Sequence, residues 1–150
     1  MKNKKVTIID YGMGNLESIK NALEYLGATA AISDKPDLIS KSNFSILPGV
    51  GSYKTAMKKI REKKIDEAIY NLLKKGNYLF GICLGMQILG KSSTEDGFTK
   101  GLGLIDNKII KFEKTDTKGN KIPHVGFNSV NFDDGNKLFK GLKNNIDFYF

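Results

Sequence analysis

The sequence predicts an α/β fold with a parallel central sheet flanked by helices and short antiparallel additions toward the C-terminus. Two observations predict it. Up to Leu89, short β-branched or apolar runs alternate with segments of helical spacing, an alternation that builds parallel strands covered on both faces. Beyond Gly101 the pattern changes to brief apolar runs joined by polar turns, as in antiparallel hairpins.

Lys5-Val6-Thr7-Ile8-Ile9-Asp10 reads as the first strand, ending at a polar residue. The glycine-containing turn Tyr11-Gly12-Met13-Gly14-Asn15 leads into a helix with apolar residues at Leu16, Ile19, Leu23 and Leu26, stopped by Gly27. Ala28 to Ile32 and Phe44 to Leu47 are the second and third strands, the latter ending at Pro48-Gly49-Val50-Gly51-Ser52. Helices follow over Tyr53 to Ile60 and Ile65 to Lys75. Tyr78 to Ile82 is a buried strand that runs into Cys83, with a helix from Leu84 to about Leu89. Leu104-Ile105, Ile109 to Phe112, Ser129 to Phe132 and Phe148 to Phe150 read as short strands, with Lys118-Gly119-Asn120 as one of the polar turns. In a parallel sheet, functional residues gather at the carboxyl ends of the strands. Asp10 to Asn15, Pro48 to Ser52 and Cys83 all stand at such ends and should converge on one edge.

The bulk properties exclude several functions. At 150 residues, 40% hydrophobic and 27% charged, the chain fits one domain, 1–150, with a real core. Its longest apolar runs, such as Tyr78 to Leu84, are too short to span a bilayer. The start, Met1-Lys2-Asn3-Lys4-Lys5, lacks the apolar stretch and cleavage site of a signal peptide. One cysteine leaves no internal disulfide, which suits the cytoplasm. The net charge of +8 does not point to nucleic acid: lysines are spread along the chain, and arginine, the usual base reader, occurs only at Arg61. The densest cluster, from Lys58 to Lys64, reads as a solvated helical face.

Gly81-Ile82-Cys83-Leu84-Gly85 is a G-x-C-x-G elbow between strand and helix, the thiol counterpart of G-x-S-x-G. Such a turn exposes the side chain at a helix start, relieves crowding with the glycines, and places the Leu84 N–H to donate to an oxyanion. Taken alone, the elbow suits cysteine proteases and other thiol hydrolases equally well. Tyr11 to Asn15 lacks the G-x-G-x-x-G spacing and the G-K-[ST] ending, so it is not read as a nucleotide loop.

The extended segment Gly81 to Gln87 resembles the nucleophile segment of class I (triad-type) glutamine amidotransferases. Pro48 to Ser52 resembles that family's oxyanion strand. Asp10 to Leu16 and Ile122 to Asn128 narrow the similarity to the glutaminase subunits of imidazole glycerol phosphate synthase, in histidine biosynthesis. The resemblance runs from Ile8 to Phe150 and implies the flavodoxin-like amidotransferase fold.

It makes Cys83 the nucleophile toward the side-chain amide of L-glutamine, forming a thioester and releasing ammonia. Gly49, Val50 and Leu84 would form the oxyanion hole, with Gly51 admitting the backbone close to the substrate. Gln87 and Glu95 match positions that hold the amino-acid end of glutamine, although Glu95 also reads as a solvated loop acid. Gly12, Asn15, Pro123, His124 and Phe127 match surfaces facing the partner, a synthase (cyclase) subunit with a (β/α)8 barrel that completes a heterodimer and consumes the ammonia. No cofactor, metal or nucleic acid is implied.

Two departures qualify the match. The family's base and its acidic orienter lie in a His-x-Glu segment, and these 150 residues contain none. His124, the only histidine, sits in the partner-facing motif and reads as a buried or loop-anchoring residue rather than the base. Because Asp147-Phe148-Tyr149-Phe150 ends on an apolar run, the domain is expected to be incomplete at its C-terminus and inactive alone. Alternatively, the chain is a shortened, catalytically silent partner-binding module. Phe127 also stands where many members have tryptophan, leaving open an amidotransferase subunit that feeds a surface-polysaccharide sugar synthetase.

Overall fold

The computed structural model describes residues 4–117, 122–133 and 135–150, so Met1-Lys2-Asn3 and the expected turn Lys118-Gly119-Asn120 lie outside the described residues. The chain divides into two compact units, Met1–Lys111 and Phe112–Phe150. Among the described residues no helix is long and apolar enough to cross a membrane.

The first unit is built on strands β1 (Lys5–Ile9), β2 (Thr29–Ser33), β3 (Phe44–Leu47) and β4 (Tyr78–Gly81), with helices α1 (Leu16–Tyr25), α2 (Pro36–Ile39), α3 (Tyr53–Glu62), α4 (Ile65–Lys74) and α5 (Leu84–Ile88). The sheet is parallel, in the order β2-β1-β3-β4, with Ile8 opposite Ile32 on one side and Ile46 on the other. The chain leaves β1 toward β2 and then crosses to β3 on the far side of β1. This reversal opens a crevice between the carboxyl ends of β1 and β3, where ligands bind in open α/β sheets.

Helices α3 and α4 bury residues at helical spacing: Tyr53, Ala56, Met57 and Ile60 from one, Ile65, Ala68, Ile69 and Leu72 from the other. Ile9 of β1 and Leu47 of β3 join them in one core cluster. Ser52 caps α3 by accepting the Thr55 N–H at 3.3 Å. Lys64, left-handed at φ 56°, turns the chain between the two helices. By contrast, α1 keeps its expected apolar spacing yet buries no residue fully, and Tyr78 and Phe80 of β4 are exposed.

After α5 the unit closes with β5 (Ser92–Ser93), β6 (Thr99–Lys100) and β7 (Lys108–Ile109). Two expectations are corrected here. Leu104-Ile105 is not a strand: both N–H groups bond the Leu89 carbonyl, at 2.8 and 3.0 Å, and so satisfy the end of α5. The strand expected over Ile109 to Phe112 is the pair Lys108–Ile109, and it runs parallel to β5, while β6 alone is antiparallel to β5.

The second unit begins with the short helix α6 (Lys114–Thr117) and holds an antiparallel ladder of β8 (Phe127–Val130) and β9 (Ile146–Tyr149). Thus the strand expected over Ser129 to Phe132 starts two residues earlier, and the one expected over Phe148 to Phe150 is shifted likewise. Phe127 meets Tyr149 edge-on at 5.2 Å across the ladder. Phe139 stacks on Phe132 at 4.5 Å, and Asn144 bonds both the N–H and the carbonyl of Phe132 at 3.0 Å.

Candidate active site

Cys83 stands between β4 and α5 with φ 54° and ψ −119°. The Gly85 N–H bonds the Ile82 carbonyl at 2.9 Å, closing a tight turn with Cys83 at its first central position. That geometry is the one type II′ turns reserve for glycine. A side chain there stores on the order of 1–3 kcal/mol of strain and is pushed out of the fold, and Cys83 is indeed exposed.

Its two flanking glycines answer different crowding. A Cβ on Gly81 would lie 2.6 Å from the Cα of Met86, within the helix start. One on Gly85 would run into the Leu47 carbonyl of the neighbouring strand. Both positions require glycine because α5 sits directly on the ends of β3 and β4.

The segment Pro48–Ser52 continues from β3 along this helix start. A Cβ on Gly49 would lie 3.0 Å from both the Gly85 nitrogen and the Leu84 Cβ, and would overlap the Tyr11 hydroxyl. Pro48 and Gly49 are buried, while Val50 and Gly51 are exposed. Neither the Val50 nor the Leu84 N–H takes a partner among the described residues. One of these unengaged donors lies within the cysteine turn, and the other follows Gly49 on the segment packed against Leu84 and Gly85. Gly51 is left-handed at φ 94°, and a Cβ there would meet the Met13 side chain at 3.2 Å.

The turn after β1 completes the crevice. The Asp10 carboxylate accepts the Gly12 N–H at 2.7 Å, Lys59 donates to the Gly12 carbonyl at 3.2 Å, and Asn15 caps α1 through the Ser18 N–H. The three loops expected at one sheet edge are together.

Beyond β5, the Glu95 carboxylate accepts the Tyr53 N–H at 3.4 Å and Asp96 accepts the Ser52 hydroxyl at 2.9 Å. Two acids are therefore fastened at the start of α3, a favourable end for negative charge. Gln87 is half-buried on α5, four residues after Cys83, and its N–H bonds the Cys83 carbonyl at 3.1 Å.

Tyr11 and Asp96 were not singled out in the sequence. Tyr11 is buried, donates to the Pro48 carbonyl at 2.9 Å, and has its phenol pushed well above the ordinary tyrosine range, by burial first and then by the charge of Cys83. A bulky aromatic before a glycine turn was the only signal it offered.

Pro123, His124 and Phe127 lie in the second unit and are exposed. His124 is not buried: its Nε2 meets Asn128 Nδ2 at 3.1 Å and its ring is tilted against Phe150 at 6.2 Å. It anchors its own loop to β8.

A strained cysteine turn at the carboxyl edge of a parallel sheet, with a glycine-containing segment laid against the following helix, defines a class of α/β proteins with a cysteine elbow. The family model for class-I glutamine amidotransferases matches residues 7–150, and the chain belongs to that family. Among curated relatives, the imidazole glycerol phosphate synthase subunit HisH of Bacillus velezensis is 45% identical over 129 residues, 85% of this chain and 61% of that protein. A HisH 2 subunit of Methanococcus maripaludis is 46% identical over 146 residues, 97% of this chain and 71% of its own length. The chain thus spans about three fifths of the first of these relatives. A crystal structure of a glutamine amidotransferase superposes with a TM-score of 0.66 at 22% identity, over 83% of this chain and 62% of that one, and shows the shared fold.

Proposed function

We propose that the chain forms part of the amidotransferase domain of the glutaminase subunit of imidazole glycerol phosphate synthase, acting in the cytoplasm in histidine biosynthesis. The observation that carries the reading is the elbow: Cys83 is exposed at φ 54°, with Gly49 laid against Leu84 and Gly85.

In this reading the Cys83 sulfur attacks the side-chain amide carbon of L-glutamine, forming a C–S bond as the carbonyl electrons move onto oxygen. The N–H groups of Val50 and Leu84 receive that oxyanion, with Gly49 giving the strand its close approach. Collapse breaks the C–N bond, the nitrogen leaves as ammonia after gaining a proton, and water cleaves the thioester to glutamate. Gly51, Gln87 and Glu95 hold the amino-acid end, the Glu95 carboxylate facing the ammonium. The proton transfers need a general base that these 150 residues do not supply as a His-x-Glu pair.

Ammonia then passes to a (β/α)8-barrel synthase subunit in a heterodimer. Gly12, Asn15, Pro123, His124 and Phe127 are the proposed contacts, and all are exposed. The identities of 45% and 46% to imidazole glycerol phosphate synthase subunits favour this acceptor over a polysaccharide synthetase.

The test is to mix the chain with the cyclase subunit of an imidazole glycerol phosphate synthase and measure complex formation by analytical ultracentrifugation. A one-to-one complex, weakened when a negative charge is introduced at Asn15 (Asn15→Asp), is the expected result. Two non-interacting species would contradict the reading.

A further inference from the structure

We propose that Tyr11 is a positioning residue for the oxyanion strand, its hydroxyl holding the Pro48–Gly49 peptide in the crevice between β1 and β3. This rests on the glutaminase reading above and adds a residue to that site.

The hydroxyl donates to the Pro48 carbonyl at 2.9 Å, across the crevice opened by the strand-order reversal. In a trans peptide the C=O and N–H point in opposite directions, so fixing one fixes the other. Holding the Pro48 carbonyl therefore sets the plane of the peptide that leads into Gly49. The same hydroxyl occupies the space a Gly49 Cβ would fill, and the far side of that space is closed by Leu84 and Gly85. Gly49 is thus wedged between Tyr11 and the helix start behind Cys83.

Downstream, Ser52 is held twice, by the Thr55 N–H at 3.3 Å and by Asp96 at 2.9 Å. The stretch Gly49–Gly51 is bracketed by a buried anchor on one side and a helix cap on the other. Because the phenol is buried and its ionisation is pushed up, it stays a neutral donor. Its role is to aim the strand that carries the Val50 N–H, without touching the reacting atoms.

The experiment compares two electrophiles on wild type and Tyr11→Phe, each assembled with the cyclase subunit. Iodoacetamide reports Cys83 alone. A glutamine-derived diazoketone, whose ketone oxygen takes the place of the amide oxygen, also needs the oxyanion donors. Tyr11→Phe should label about tenfold more slowly with the diazoketone, while its iodoacetamide rate and half-protecting glutamine concentration stay within about twofold. A parallel fall with both reagents would mark a general packing defect and overturn the proposal. No fall with either would overturn it while leaving the glutaminase reading intact. Wild type that takes iodoacetamide but not the diazoketone would overturn the glutaminase reading and this proposal together.

Discussion

The Asp96 carboxylate accepts the Ser52 hydroxyl at 2.9 Å, tying the loop after β5 to the residue that ends the Pro48–Ser52 segment and caps α3. The bond brings Glu95 to the same helix start, where one of its oxygens takes the Tyr53 N–H. A carboxylate held in this way has little side-chain entropy left to lose when a ligand ammonium arrives.

From this follows the first prediction. Glu95→Gln keeps the shape and the bond to Tyr53 but removes the charge. The glutamine concentration that half-protects Cys83 from labelling should rise about tenfold or more, the worth of a charged hydrogen bond. An unchanged value would assign Glu95 to the solvated loop instead.

The backbone at Cys83 makes a second prediction, on stability. Glycine normally destabilises relative to alanine, but at φ 54° and ψ −119° the order should reverse. Cys83→Gly should be more stable than Cys83→Ala by about 1 kcal/mol in urea denaturation. Equal or lower stability of the glycine variant would mean the turn is not strained.

A third prediction concerns alkaline pH. Burial raises the ionisation of Tyr11, Tyr53 and Tyr70 above the ordinary tyrosine value of about 10. For a group whose folded value is raised, the stabilising contribution is complete below the unfolded value and lost as pH climbs toward the folded one. Stability should therefore hold up to about pH 10 and fall above it. Tyr11→Phe should make that fall shallower. An identical alkaline decline in wild type and Tyr11→Phe would show that Tyr11 does not contribute to it.

How much of this was legible in the sequence depended on whether a feature was local. The elbow at Cys83 was readable because G-x-C-x-G encodes a backbone conformation within five residues, and the positive φ bears that out. Helices α3 and α4 were readable because they place their apolar residues at strict helical spacing. The four-residue α2 went unpredicted because it is too short to show a period, and β4, expected to be buried, leaves Tyr78 and Phe80 exposed. Tyr11 was not readable, because its acceptor lies 37 positions away and depends on β1 and β3 being neighbours. Leu104-Ile105 was misread for a related reason. An apolar pair looks like a strand until its N–H groups are seen to finish α5. Asp96 looked like any loop acid, since only the fold brings it to Ser52.

Whether Cys83 is the thiol that attacks glutamine can be read by peptide mapping after labelling with the glutamine-derived diazoketone. A single adduct on Cys83, suppressed by L-glutamine and absent from Cys83→Ala, is expected. Labelling at another residue, or labelling of Cys83 that glutamine does not suppress, would contradict it.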